Sequence, residues 1–232
     1  MTTPCRLHYA PDNASLVIRL ALEARDLPFD TVLVDRATRE QDGAAYRALN
    51  PAGLIPVLET PDGPLFETAA ILLWLADRHG GLGPAPDDPG RGAFLKWLFF
   101  TSNTMHADLR MLFHPEQYID PAQADVLRAG LRTGLTARLR RHLALLDRAV
   151  AAPDWPGGAT EFYLACLLRW MALYPEDFDR GWFRLSDFPA LTALCARVED
   201  TDATRAAARA EGLGAQPFIA PRPATPPEGT AT

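Results

Sequence analysis

Leu54-Ile55-Pro56-Val57-Leu58-Glu59 reads as a short strand with a proline near its start. Proline removes a donor from a strand ladder, so its place there needs a reason. A trans proline opening the strand is one. A cis peptide bond, which turns the chain and leaves the preceding backbone free for a ligand, is the other. Asp62-Gly63 then signals a hairpin into Leu65-Phe66. Thr68 to Arg78 reads as a helix that stops at Gly80-Gly81. Upstream, Arg6 to Ala10 and Phe29 to Val34 read as strands, the second marked by Thr31-Val32-Leu33-Val34. Between them, Leu16, Leu20 and Ala24, flanked by Val17 and Ala21, give Ser15 to Asp26 a helical period, and Asp12, Asn13 and Ser15 are cap-type residues before it. Ala44 to Leu49 is a short helix that ends before Pro51. The order β-α-β-α-β-β-α predicts a compact α/β unit over residues 1–80 with helices on both faces.

Downstream the pattern changes. Residues 81–91 are a linker punctuated by Gly81, Gly83, Pro84, Pro86, Pro89 and Gly90. Residues 92–214 read as an all-helical domain with no strand. Its helices, the first of them begun in the linker's last residue, are Arg91 to Phe113, Ala122 to Ala151, Glu161 to Leu173, Pro189 to Glu199 and Ala203 to Glu211. Residues 215–232 hold five prolines and few apolar side chains, and are expected to be a disordered or loosely docked tail.

Composition excludes several classes. With 232 residues, 48% of them apolar, the chain buries a real core. The charge, 23 basic against 29 acidic residues, is −6, which argues against a nucleic-acid surface. The longest strongly apolar run, Ala69 to Ala76, is far short of the ~20 residues that a membrane span needs. The first residues carry no apolar segment of the signal-peptide kind, so a cytoplasmic location is expected. Cys5, Cys166 and Cys195 are odd in number and far apart, which gives no disulfide framework and no metal spacing; no metal is expected.

Three places carry candidate chemistry. Glu67 and Thr68 stand at a helix start, where a carboxylate and a hydroxyl either cap the helix or serve a ligand. Free N–H groups and the Thr68 hydroxyl suit a ligand carboxylate, and Glu67 suits a ligand ammonium; an α-amino-acid end supplies both. Tyr9 to Ser15 leads into the first helix, whose positive end favours an anion, and Ser15 either caps that helix or donates to a sulfur anion. Asn103, His106, Arg110 and Phe113 share one helix face, a polar stripe beside Phe99, Phe100 and Met111 that suits a cleft wall. His79, His114 and His142 lack such a context and read as surface residues.

Taken in order, Tyr9-Ala-Pro with Ser15-Leu16, Asn50-Pro51-Ala-Gly53-Leu-Ile55-Pro56-Val57-Leu58 and Phe66-Glu67-Thr68-Ala-Ala-Ile71-Leu-Leu-Trp-Leu75 resemble the glutathione S-transferase family. Phe162-Tyr163-Leu164, Phe188-Pro189-Ala190-Leu191 and the stretch from Arg197 to Leu213 extend the resemblance over residues 5–213. It implies a thioredoxin-like N-terminal domain, an all-helical C-terminal domain, a cis bond before Pro56 and a homodimer. It also implies that Ile55, Pro56, Glu67, Thr68, Arg39 and His106 bind glutathione, and that Asn103, His106, Arg110 and Phe113 line the substrate pocket. The bacterial beta type is most similar, through Tyr-Ala-Pro and Met105-His106. Departures are Ala14 in place of the beta-type cysteine, Ala107 in place of lysine, Thr68 for serine, and Gly158 with Glu161 where the core helix usually has a Ser/Thr cap and Asp.

The function so implied is a glutathione transferase acting on a small electrophile, with glutathione as cosubstrate. A free thiol with a pKa of about 8.5 is only about 3% thiolate at pH 7, so the site must lower that pKa. Ser15 is the first expected donor, then Asn13, then Tyr9 and the backbone N–H groups near residue 14. Two rivals remain: a glutathione-dependent disulfide reductase or peroxidase, and a catalytically silent binding protein.

Overall fold

The computed structural model describes residues 4–231. Four strands, β1 (Cys5–Tyr9), β2 (Phe29–Leu33), β3 (Val57–Thr60) and β4 (Gly63–Phe66), form one sheet in the order β2-β1-β3-β4. β1 runs parallel to β2 and antiparallel to β3, and β3 to β4 is an antiparallel hairpin. The helices of this unit are α1 (Ser15–Glu23), α2 (Ala44–Leu49) and α3 (Thr68–His79). α1 and α3 pack together on one face. On the other, Tyr46 of α2 meets Val34 and Val57 in a small separate cluster. This is a thioredoxin-like domain.

The second domain is all-helical among the described residues: α4 (Arg91–Phe100), α5 (Ala107–Phe113), α6 (Ala124–Val150), α7 (Ala159–Leu173), α8 (Pro189–Glu199) and α9 (Asp202–Glu211), with short single-turn helices between some of them. The helix expected over Arg91 to Phe113 is interrupted: Thr101–His106 winds as a π-helix between α4 and α5. The wider turn leaves a bulge in the helix wall, a feature frequent at functional sites.

α1 joins the two domains. Every residue from Ser15 to Leu22 is buried, because α1 is covered by β1, α3, α7 and α9. A helix covered on all sides must be apolar all round or have its polar groups paired. Its one buried charge, Arg19, meets Glu211 of α9 at 2.7 Å.

The C-terminal segment corrects the expectation of a loose tail. Phe218 is buried, and the Glu199 carboxylate accepts from the Phe218 and Ile219 N–H groups at 2.8 and 2.9 Å. The Arg169 guanidinium donates to the Pro217 and Arg222 carbonyls, and Thr225 N–H to the Gly212 carbonyl. Backbone bonds and one aromatic anchor do the work that composition assigned to apolar side chains.

α7 begins without a side-chain cap. Gly158 precedes it at φ 68° and ψ −144°, and the Ala159 N–H donates to the Leu82 carbonyl in the linker at 2.7 Å. A Cβ on Gly158 would lie 2.3 Å from that oxygen. Backbone touches backbone there, so only glycine fits. Gly158→Ala is therefore expected to destabilise the fold by about 2 kcal/mol or more, which for a chain of this size lowers the melting temperature by roughly 4–8 °C. Thermal unfolding followed by circular dichroism checks it; an unchanged melting temperature contradicts the packing described.

Candidate functional site

A cavity of about 820 Å³ opens where the two domains meet. The first domain contributes the loop after β1, the chain around Ile55 and the start of α3; the second contributes the face from Ser102 to Phe113 and the end of α7.

The start of α3 is the best-defined wall. Glu67 stands at φ 72° and ψ 112°, a backbone conformation that side chains rarely adopt. Such a residue carries about 1–3 kcal/mol of strain and marks sites where the surrounding structure enforces it. Its carboxylate does not cap the helix, and it lines the cavity. Thr68, buried beside it, also lines the cavity. Beside it, where Val57 pairs with Phe66, the Ile55–Pro56 peptide bond is cis. The Leu54 carbonyl is held by the Tyr46 hydroxyl at 2.9 Å and the Asn50 amide at 2.7 Å, while the Ile55 backbone enters no described hydrogen bond. Glu67, Thr68, Ile55 and Pro56 are thus brought together.

The loop after β1 separates the expected thiol donors. Asn13 and Ala14 line the cavity. The Asn13 Oδ1 accepts from the Ala14 N–H at 2.7 Å, and no described hydrogen bond engages its Nδ2. Ser15, expected as the first donor, is corrected. It is fully buried and absent from the cavity wall, and its hydroxyl donates to the Ala10 carbonyl at 3.0 Å. Its proton is committed inside the loop. Tyr9 is likewise directed elsewhere: its hydroxyl donates to Glu228 of the tail, and the Arg19 guanidinium lies over its ring. Burial, then Glu228, raise the Tyr9 pKa far above its ordinary value.

Asp12, between these residues, was not singled out by sequence. Its carboxylate is buried and receives Arg169 Nε and Nη2 at 2.8 Å each, Trp170 Nε1 at 2.9 Å and the Tyr174 hydroxyl at 3.0 Å. Its N–H donates to Glu211 at 2.8 Å. No periodicity could reveal partners more than 150 positions away; the one visible sign was an aspartate in a loop otherwise read as a cap.

Arg39 is also corrected. Its side chain is 78% exposed, pairs with Asp42 at 2.7 Å and does not line the cavity. Arg36, three residues earlier, does, and donates from Nη1 to the Ala231 carbonyl at 3.0 Å. His114, read as a surface residue, lines the cavity as well.

Asn103, His106, Arg110 and Phe113 all line the cavity. His106 Nδ1 lies 2.7 Å from the Tyr163 hydroxyl, which lies beside Thr68 across the domain junction. Burial, then the Arg110 charge, hold the His106 pKa at about 4, against 6.5 for an ordinary imidazole. At neutral pH the ring is uncharged.

Residues 14–78 match the family described as glutathione S-transferase, N-terminal domain. The glutathione S-transferase GST-4.5 of Xanthomonas campestris pv. campestris is 30% identical over 214 residues, 90% of this chain and 99% of that protein. Among solved structures, a sphingomonad glutathione S-transferase complexed with glutathione is 31% identical, with a TM-score of 0.74 over 90% of this chain and 100% of that one. A bacterial beta-class glutathione S-transferase of Sphingomonas chungbukensis is 28% identical, with a TM-score of 0.72 over 89% and 98%.

The histidine gives a pH prediction. Its folded pKa lies below its unfolded value, so the unfolded chain takes up the proton first on acidification. The stability this neutral ring contributes is complete above about pH 6.5 and falls as pH drops towards 4. The His106 imidazole is expected to titrate well below pH 6 by NMR, and His106→Gln to lose less stability than wild type between pH 7 and 5 in urea titrations. Identical losses would contradict the assignment.

Proposed function

The chain belongs to the glutathione S-transferase family, and on that premise we propose that the cavity between its domains binds glutathione, activates the thiol and directs the thiolate to a small electrophile. It is a glutathione transferase with glutathione as cosubstrate. The observation that carries the site assignment is the meeting of Glu67, Thr68 and the unengaged Ile55 backbone on one wall, with the Asn13–Ala14 loop in the same cavity. Glu67 takes the γ-glutamyl ammonium, Thr68 and the first N–H groups of α3 take its carboxylate, and the Ile55 backbone pairs with the cysteinyl peptide unit. Arg36 takes the place expected for Arg39 and meets the glycine carboxylate through the N–H groups that Ala231 leaves free.

The sulfur then falls near Asn13 and Ala14. None of Cys5, Cys166 and Cys195 lines the cavity, so the reacting sulfur is the cosubstrate's. Lowering a thiol pKa by two units takes about 2.7 kcal/mol. The Asn13 amide and the positive end of α1 supply it in the absence of a Ser15 proton. We place the chain beside the beta type, with Ala14 where that type carries its cysteine; the likeness to the beta-class structure and the position of His106 support this. The same reading makes it a cytoplasmic homodimer, with exposed Phe66 and Phe99 as apolar surface to cover. Light scattering is expected to give about twice the 25.4 kDa chain mass; a monomer mass at micromolar concentration would contradict it.

The site is tested by two variants. Glu67→Ala is expected to weaken glutathione binding by about 1.5–3 kcal/mol in calorimetry, with the fold intact. Asn13→Ala is expected to raise the bound thiol's pKa by about one unit in a pH–rate profile, whereas Ser15→Ala leaves it in place. Unchanged affinity in the first, or a thiol pKa moved only by Ser15→Ala, sinks the assignment. Binding without turnover of aryl halide, peroxide or disulfide would identify a silent member, and turnover of disulfides alone a reductase.

A further inference from the structure

We propose that the half of the cavity facing α5 is a subsite for an aromatic electrophile that bears an anionic group, with Arg110 holding the anion while the ring lies against Phe113, Trp170 and Tyr174. This rests on glutathione occupying the other half, between Glu67 and Asn13.

Arg110 and Arg36 differ from the other arginines at this junction. Arg169 is neutralised by Asp12 and Arg132 by Asp177. Arg110 has no carboxylate in ion-pair range among the described residues; its one described side-chain bond is Nη2 to Gln117 Oε1 at 3.2 Å. It nevertheless lines the cavity, one helical turn from His106 and three residues before Phe113. It is not isolated. Arg36 and His114 line the same cavity; burial lowers the His114 pKa, with Glu116 at 3.5 Å raising it and the Arg110 and Arg36 charges lowering it further. On a chain of net charge −6, two guanidiniums without a described carboxylate partner, Arg36 and Arg110, face this corner. Of the carboxylates in the wall, Asp12 and Asp177 are paired, and Glu67 is assigned to the glutathione ammonium. Glu176, exposed at the rim, is the one left without a base among the described residues. With Arg36 on the glycine carboxylate, Arg110 remains for the second substrate.

The shape of the wall supplies the other half of the argument. Phe113 and Tyr174 meet edge to face at 6.2 Å, and Trp170 tilts against His106 at 5.8 Å. Trp170 and Tyr174 are held by their bonds to Asp12, so their rings are fixed before a ligand arrives. Rigid rings beside an unpaired guanidinium select a flat apolar body with one negative edge.

The test compares 4-chloro-3-nitrobenzoate with 4-chloro-3-nitrobenzamide, which differ at the charge. In both, the glutathione sulfur bonds to the chlorine-bearing carbon, the carbon–chlorine bond breaks, chloride leaves with the electron pair, and the thiol proton passes to solvent. Each kcat/KM is divided by the uncatalysed rate with glutathione. The wild-type quotient is expected to favour the benzoate by about tenfold, the preference to fall with added salt, Arg110→Gln to bring it within about twofold of unity, and Arg110→Lys to restore part of it. A wild-type quotient near unity, or a preference unchanged in Arg110→Gln, overturns the proposal. So does a loss in Arg110→Gln that is equal for both probes and tracks glutathione affinity, which would put Arg110 on glutathione instead. Calorimetry separates the two readings. Absence of glutathione binding overturns the site on which the proposal rests, whereas binding with no benzoate preference, or with turnover of neither probe, overturns the anion subsite alone.

Discussion

The ion pair between Asp12 and Arg169 is the interaction on which the arrangement of this protein depends. Both side chains are fully buried, and the carboxylate is met by four donors from three residues of the second domain. A buried pair of this kind adds little net stability over apolar packing, but removing one member strands a charge at about 3–5 kcal/mol. Its value lies in placement. Asp12 sits between Pro11 and Asn13 at φ 51°, so the pair fixes the loop that presents Asn13 and Ala14 to the cavity. The Asp12 N–H reaches Glu211, and Glu211 in turn holds Arg19 of α1. Burial raises the Glu211 pKa to about 7 while Arg19 pulls it down. Loop, α1, α7 and α9 are bound into one polar core inside an apolar one.

In the proposed mechanism, the same placement lets a cavity lined by no protein thiol activate that of glutathione. The groups proposed to stabilise the sulfur anion, the Asn13 amide and the positive end of α1, are individually weak. They act together only if the loop cannot relax away from the anion, and a loop clamped at its middle residue cannot. Preorganised donors in a closed site need no rearrangement when charge develops.

Sequence made the first domain legible because its signals are local. The strand and helix periods, the hairpin at Asp62-Gly63 and the Glu67-Thr68 helix start are each settled within a few residues. Pro56 was ambiguous taken alone, since both proline isomers satisfy a strand start. Ser15 misled because its position at a helix start is the same whether its proton faces a ligand or the Ala10 carbonyl; the turn between them decides, and periodicity does not see turns. Arg39 and Arg36 lie on one loop, and which of them faces inward depends on the left-handed backbone at Arg39 and the nearby Asp42. The face from Asn103 to Phe113 was visible as a stripe, while the π-helical turn within it was not, because a π-turn differs from an α-turn by a single residue. Asp12 and Arg169 are 157 residues apart and carried no local sign of each other.

The tail is held in a way that has a consequence for variation. Arg169 grips it through the carbonyls of Pro217 and Arg222, Glu199 through the N–H groups of Phe218 and Ile219, and Arg36 through the Ala231 carbonyl. Every amino acid offers a carbonyl and all but proline an N–H, so apart from the Phe218 anchor and Glu228 these grips do not read side chains. The end of this segment stands in the cavity wall at Ala231. The cavity wall can thus change at this end through substitutions along a strap whose attachment is indifferent to them, leaving the core untouched.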